Sequence, residues 1–203
     1  GLSINSSTGE IDLANSTIQS YKIFYETSGA GCPNSSTFDL AVTTAYAPFK
    51  MKISVTSGVE KTFNLGISGI GNQFQIDWGD GTVGQANVIG LSHTYNPGGV
   101  GTTSDPIITL GAQTDTSEPR SIYFRSNSSA LDILEIQQWG TTTWQSIYHG
   151  FWDARNMDIT ATDTPIITAA NWSNLFYMSS NNTSLVGTSL ANWDVSSATT
   201  LAS

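Results

Sequence analysis

The densest run of residues able to do chemistry is Asp77-Trp78-Gly79-Asp80-Gly81-Thr82. Its two carboxylates are near enough in sequence to share a Ca²⁺ ion. A calcium loop needs six or more oxygens, however, and no DxDxDG register follows. An Asp-Gly step between β runs is also a tight-turn signal, because glycine accepts positive φ and Asp bonds nearby backbone. The turn is the expected reading. Gly79-Asp-Gly81-Thr-Val-Gly84 matches GxGxxG, but a dinucleotide site needs that motif to close a strand and open a helix. Gln85–Ser92 is neither helical nor part of a βαβ unit. Downstream, His93-Thr-Tyr95 sets an imidazole and a phenol on one strand face at period two. That pair is either a general base beside a phenol or a packed aromatic pair whose polar tips bond the turn of Trp78 and Asp80.

Cys32 is the one cysteine. It is a disulfide candidate, with a partner upstream or on a neighbouring chain, or else a plain buried thiol. Nothing pairs it with His93 or His149 as a nucleophile would require. GISGI (66–70) and GLSHT (90–94) miss the last glycine of GxSxG, and HExxH, CxxC and the phosphate-loop motif do not occur. Sixteen acidic residues permit a glycosidase-type carboxylate pair by number alone, yet no stretch singles one out. The expectation is no catalytic residue, no metal and no cofactor.

Five of the six tryptophans, Trp139, Trp144, Trp152, Trp172 and Trp193, fall in the last third. Exposed aromatics stack on sugars or anchor protein partners. Trp144 and Trp172 are expected in the core. Trp152, next to Phe151, and Tyr177, next to Phe176, flank core-type residues and are the candidates for an outer, partner-binding face.

The elements that must position these residues are mostly strands. The 203 residues include 67 Ser, Thr and Asn, 19 Gly and only 11% charged positions, with a net charge of -9. Seven Lys and Arg cannot build a nucleic-acid footprint. No run approaches 18 apolar residues, so no membrane insertion is expected. No basic start leads into an apolar stretch, so no signal peptide is expected in this sequence, which by itself does not imply a cytoplasmic home. Six Trp, seven Tyr and eight Phe are too much apolar area for a disordered chain. Short alternating runs occur at Ile18–Tyr25, Phe38–Val42, Lys50–Val55, Thr62–Ile67, Phe74–Trp78, Ile107–Leu110 and Ser121–Arg125. Gly, Asn, Ser and Pro clusters separate them, as in all-β folds. The best helical candidates are Trp144–Phe151 and Trp172–Met178, about two turns each. Ile147-Tyr-His-Gly-Phe151 aligns with Trp172-Ser-Asn-Leu-Phe176, and a third register begins at Leu201. A period of this length points to a solenoid. Leu190, Trp193 and Val195 add apolar positions, with Asn192 placed to bond backbone at a corner.

Three stretches resemble known families. Gly1–Val42, with its STGEI hairpin, resembles the C-terminal half of an immunoglobulin- or cadherin-like repeat, a family in which a second cysteine lies upstream of this segment. Ile76-Asp-Trp-Gly-Asp-Gly-Thr82 with His93-Thr-Tyr95 resembles the PKD-type β-sandwich, which gives Trp78, Asp80, His93 and Tyr95 a structural role. Ile136–Ser203 resembles BspA-like leucine-rich surface-protein repeats, through Gln138-Trp-Gly140, Trp144, Phe151, Ile159-Thr-Ala-Thr-Asp163, Leu175-Phe176 and Trp193-Asp-Val-Ser-Ser197. The usual Met-Phe is replaced by Gly150-Phe151 and Leu175-Phe176.

The expected fold is therefore mainly β: tandem β-sandwich modules at 1–45 and 46–128, then the start of a leucine-rich-repeat-type solenoid at 129–203. Both ends are expected to be completed by other protein chains or by further domains of the same polypeptide. These resemblances imply a non-enzymatic extracellular or cell-surface segment with structural or adhesive work. The alternatives are a phage virion component (fibre or capsid decoration) and a carbohydrate-binding module meeting a glycan surface. The seven Asn-x-Ser/Thr sequons are expected from composition alone, and unmodified in a bacterial or phage protein.

Overall fold

The structure, a computed structural model, describes residues 1–5, 7–12, 15–17, 19–26, 35–42, 46–69, 74–86, 91–101, 104–111, 120–178 and 190–200. The fold is mainly β, with open sheets and two short 3₁₀ turns among the described residues. The chain forms two compact units, Gly1–Ala45 and Tyr46–Ser203.

Among its described residues the first unit holds an antiparallel strand pair, β1 (Gln19–Glu26) with β2 (Ser35–Val42). Period two sorts its residues onto two faces. Tyr21 and Ile23 stand opposite Leu40 and Phe38 on one face. Lys22 and Asp39 pair at 3.2 Å on the other. Phe24 and Phe38 remain 62% and 63% exposed. None of the residues of this unit whose side chains are described is buried. Ahead of the hairpin, an Ile4–Ile11 bridge closes a turn. There the Asn5 carboxamide oxygen accepts the N–H groups of Ser7 and Thr8.

The second unit is built on a six-stranded sheet. Its strands are β3 (Phe49–Ile53), β6 (Phe74–Asp77), β7 (Val83–Ala86), β9 (Ile107–Gly111), β11 (Ile133–Gln138) and β13 (Asp158–Ile159), in the order β13-β11-β3-β9-β6-β7. The β11–β13 pair is parallel and the others are antiparallel. Segments 46–128 and 129–203, expected as separate modules, thus share a sheet through the β3–β11 pairing. Five further short pairings join described residues of the unit, one of them a lone parallel bridge between Asn171 and Thr200. Antiparallel ones join β4 (Lys61–Asn64) to β8 (Ser92–Tyr95) and β5 (Ile67–Ser68) to β10 (Ser121–Ile122). Parallel ones join β12 (Thr143–Trp144) to β14 (Ile166–Ile167) and, as a lone bridge, Ser121 to Ser146.

Alternation explains the core. Phe49, Met51 and Ile53 of β3, Phe74 and Ile76 of β6, and Ile108 and Leu110 of β9 all point inward. Phe63, Leu65, Tyr95, Ile122, Phe124, Trp139, Trp144 and Phe151 join the same buried cluster. Gly140 sits at φ 72° with Ala47 and Pro48 carbonyls where a Cβ would go, so only glycine lets the two segments approach here.

From residue 120 onward the backbone pairs with itself at recurring offsets. Ile122 N donates to Ser146 O, Phe124 N to His149 O, and His149 N to Ser173 O. Phe151 N donates to Leu175 O, Asp153 N to Tyr177 O, and Trp172 N to Thr200 O. Stretches 24 to 28 residues apart, the coils of this unit, are thus linked at these points. His149 and Asn174 occupy matching places and share positive φ (56° and 57°), as do Asp153 and Met178 (67° and 59°).

The two helical candidates are turns instead. Gly150 N bonds Ile147 O and Leu175 N bonds Trp172 O, each three residues back. The left-handed residue at His149 or Asn174 stops the chain from continuing as a helix. At the last corner Asn192 makes no side-chain hydrogen bond among the described residues. Asp194 accepts Ser196 N there, and the Ser197 hydroxyl donates to Ile167 O and Ala169 O. Leu190 and Trp193 pack on the core, while Val195 is exposed.

Candidate functional site

The structure gathers the sequence candidates into two clusters. Cys32, and the register at Leu201, lie outside the described residues.

The first cluster is the hairpin between β6 and β7 capped by β8. Asp77 accepts Gly79 N at 2.9 Å, and Asp80 accepts Thr82 N at 2.9 Å. These are the side-chain turns expected where Asp precedes Gly. Gly79, at φ 81°, lies so near Ile107 that a Cβ would meet its carbonyl oxygen at 2.5 Å. His93 Nε2 donates to Asp80 Oδ2 at 2.8 Å, and the Tyr95 hydroxyl donates to Trp78 O at 2.9 Å. The His93 ring stacks on Trp78 at 4.8 Å and meets Tyr95 edge-on at 4.6 Å. Burial alone would push the Asp80 carboxyl up; the hydrogen bonds from His93 and Thr82 outweigh it and hold the group below its usual range. Burial, reinforced by Asp80 and Asp77, pushes the Tyr95 phenol far up. These bonds tie the turn to the strand behind it. A phenol so hard to ionise, with its proton on a carbonyl, is a poor acid-base group.

The second cluster lies on the coils of the second unit. The Trp152 and Tyr177 rings lie 4.1 Å apart, tilted by 31°, and the Arg125 guanidinium carbon stands 5.3 Å from the centre of the Trp152 ring. Arg125, Trp152 and Tyr177 come from successive coils and form one outer column. Directly inside runs a second column, Phe124, Phe151 and Phe176, stacked at 6.4 and 5.9 Å with interplanar angles of 14° and 9°. The recurring backbone ladder places both columns, since equivalent positions of adjacent coils face the same way.

His149 and Tyr148, which sequence reasoning did not single out, belong to this second cluster. His149 is 2% exposed. Its ring lies 3.7 Å from Tyr148 and 4.7 Å from Trp152, and Arg125 Nη1 donates to Nε2 at 3.4 Å. Burial first, and then the Arg125 charge, push the imidazole below its ordinary value. Its Nδ1 has no partner among the described residues. The available signal was the alignment of His149 with Asn174 in the repeat.

Trp144 and Trp172 are buried, and the Trp172 indole donates to Ala169 O at 2.6 Å. Asp163 is a second residue whose work the sequence did not assign. Its carboxylate accepts Trp139 N at 3.0 and 3.1 Å and Gly140 N at 2.7 Å, fastening one coil to the turn below. Asp163 and Asn192 border a cavity of about 420 Å³ lined by residues 159 to 164. Among the described residues, no group of three His, Cys, Asp or Glu side chains is placed to hold a metal. The chain matches no protein-family model, no curated protein and no solved structure.

Proposed function

We propose that this chain is a non-enzymatic extracellular segment with structural or adhesive work. In this reading β-sandwich modules lead into the stacked coils of a leucine-rich-type solenoid. The observation that carries the reading is the coil-to-coil backbone ladder from Ile122 to Thr200. In such a stack each coil satisfies its neighbour's polar groups, so the fold extends by repetition and presents a lateral face. The titratable groups fit the same picture. Asp80, Asp163 and Asp194 spend their oxygens on backbone N–H groups. The apolar face of Tyr21, Ile23, Phe38 and Leu40 supports contact with a further domain or another protein chain, since a two-stranded hairpin is marginal alone.

The test is location. Immunogold labelling with an antibody to this chain should mark the cell envelope or purified particles. Labelling of particles at fixed stoichiometry would assign the chain to a virion. Recovery of the protein only from cytosol would overturn the reading.

A further inference from the structure

We propose that Arg125, Tyr148 and Tyr177 form a binding site for a carboxylate-bearing sugar, a hexuronate unit of an acidic glycan. The proposal rests on the adhesive reading above and names the chemistry of what is held.

Arg125 is the anomaly that motivates it. In a chain with 16 acidic and 7 basic residues, an exposed cation has many carboxylates to choose from. Lys22, Lys52, Lys61 and Arg155 each stand within ion-pair distance of an aspartate. Arg125 makes no ion pair among the described residues. The acid on the adjoining coil, Asp153, is held by Arg155 at 2.5 Å. The guanidinium is nonetheless fixed in place, over the Trp152 ring and against His149 Nε2. That contact uses one N–H of five and leaves a planar fork, the geometry that matches a carboxylate.

Two exposed aromatic rings stand one residue removed from the fork, Tyr177 across Trp152 and Tyr148 across His149. Tyr148 and Tyr177 are 38% and 39% exposed. Each is braced from behind, Tyr177 by Trp152 and Tyr148 by His149. A braced ring offers the C–H face of a pyranose an apolar platform at little cost in side-chain entropy. Trp152 itself is not the platform. Its coil lies between those of Arg125 and Tyr177, so one ring face meets the cation and the other the phenol. It is a positioning residue. His149 contributes from below. By accepting the Arg125 N–H as a neutral imidazole, it orients the guanidinium without adding a second charge.

A neutral sugar would leave the fork unpaired, and a nucleic acid would need more than one cation. The chain's net charge of -9 disfavours long polyanions, so a short oligosaccharide is the right probe. The full chain is titrated calorimetrically with trigalacturonate and with its methyl ester, which keeps the rings and removes the charge. Binding of the acid, at least about tenfold weaker for the ester and for Arg125→Gln, is expected from loss of a charge-assisted pair. Arg125→Lys should lose most of that affinity as well, because the charge stays and the fork goes. Tyr177→Ala and Tyr148→Ala should each weaken binding severalfold, and Lys22→Gln, in the other unit, should not. Equal binding of acid and ester, unchanged binding by Arg125→Gln, or no binding at millimolar trigalacturonate would each overturn the site. Absence of binding with surface location intact removes this site and leaves the adhesive reading standing. Cytosolic location removes the adhesive reading whatever the calorimeter shows.

Discussion

Asp80 accepts one hydrogen bond from Thr82 N in its own hairpin and one from His93 on β8. Asp80→Ala should cost about 1–3 kcal/mol in chemical denaturation, the usual result of orphaning bonded partners. Its carboxyl lies below the ordinary value of 3.8 in the folded chain. The stability it adds is therefore present above about pH 3.8 and lost as pH falls through the folded value. Asp80→Asn should flatten the acid limb of a stability-pH curve; an unchanged limb would discount the His93 contact. His149 works in a higher window. Its folded value lies below 6.5, so its contribution is full above about pH 6.5 and declines as the solution is acidified through the folded value. His149→Asn keeps a residue that tolerates left-handed backbone and should remove that decline, measured by thermal melts between pH 7 and pH 5. The turn chemistry of Asp77 and Asp80 was legible because Asp and Gly announce their backbone preferences locally. The place of His149 was not, because it depends on which coil lies above it.

At the scale of elements, the inner aromatic column holds adjacent coils in register. Phe151 is fully buried between Phe124 and Phe176, so Phe151→Ala should cost about 3–5 kcal/mol. Phe176→Ala should cost less, since Phe176 is only partly buried. Equal losses in urea titrations would mean that the column is not what aligns the coils. Asp163→Ala should release Trp139 N and Gly140 N, for roughly 1–3 kcal/mol. The strands of period two, β3 and β6 above all, could be read from the sequence because each buries one face. β11 could not. Its burial follows no alternation, and its register against β3 shifts twice, between Ile133 and Glu135 and between Ile136 and Gln138. The residues around Trp144 and Trp172 carry helix-like apolar spacing, but their i,i+3 bonds are interrupted by left-handed backbone that side-chain pattern does not encode.

Among the described residues, the extensive core belongs to the second of the two units. Residues 46–203 bury a continuous cluster running from Phe49 to Leu175, whereas no residue of 1–45 whose side chain is described is buried. Limited trypsin digestion should therefore cut first after Lys22, the one basic residue of 1–45. An earlier cut at Arg125 or Arg155 would place the weak point in the coils instead. The sequence set the expected module boundaries at 45 and 128. It gave no sign that β11 would extend the sheet begun by β3, because strand pairing between distant segments is set by shape and not by composition. All six indoles belong to residues 46–203, four of them linked by ring contacts of 5.1 to 6.5 Å among Trp139, Trp144, Trp172 and Trp193. The amino-terminal hairpin is thus dark to tryptophan emission while still absorbing as amide. Melting followed by fluorescence will register only the coil-bearing body, and the offset from a circular-dichroism trace will time the hairpin's separate loss.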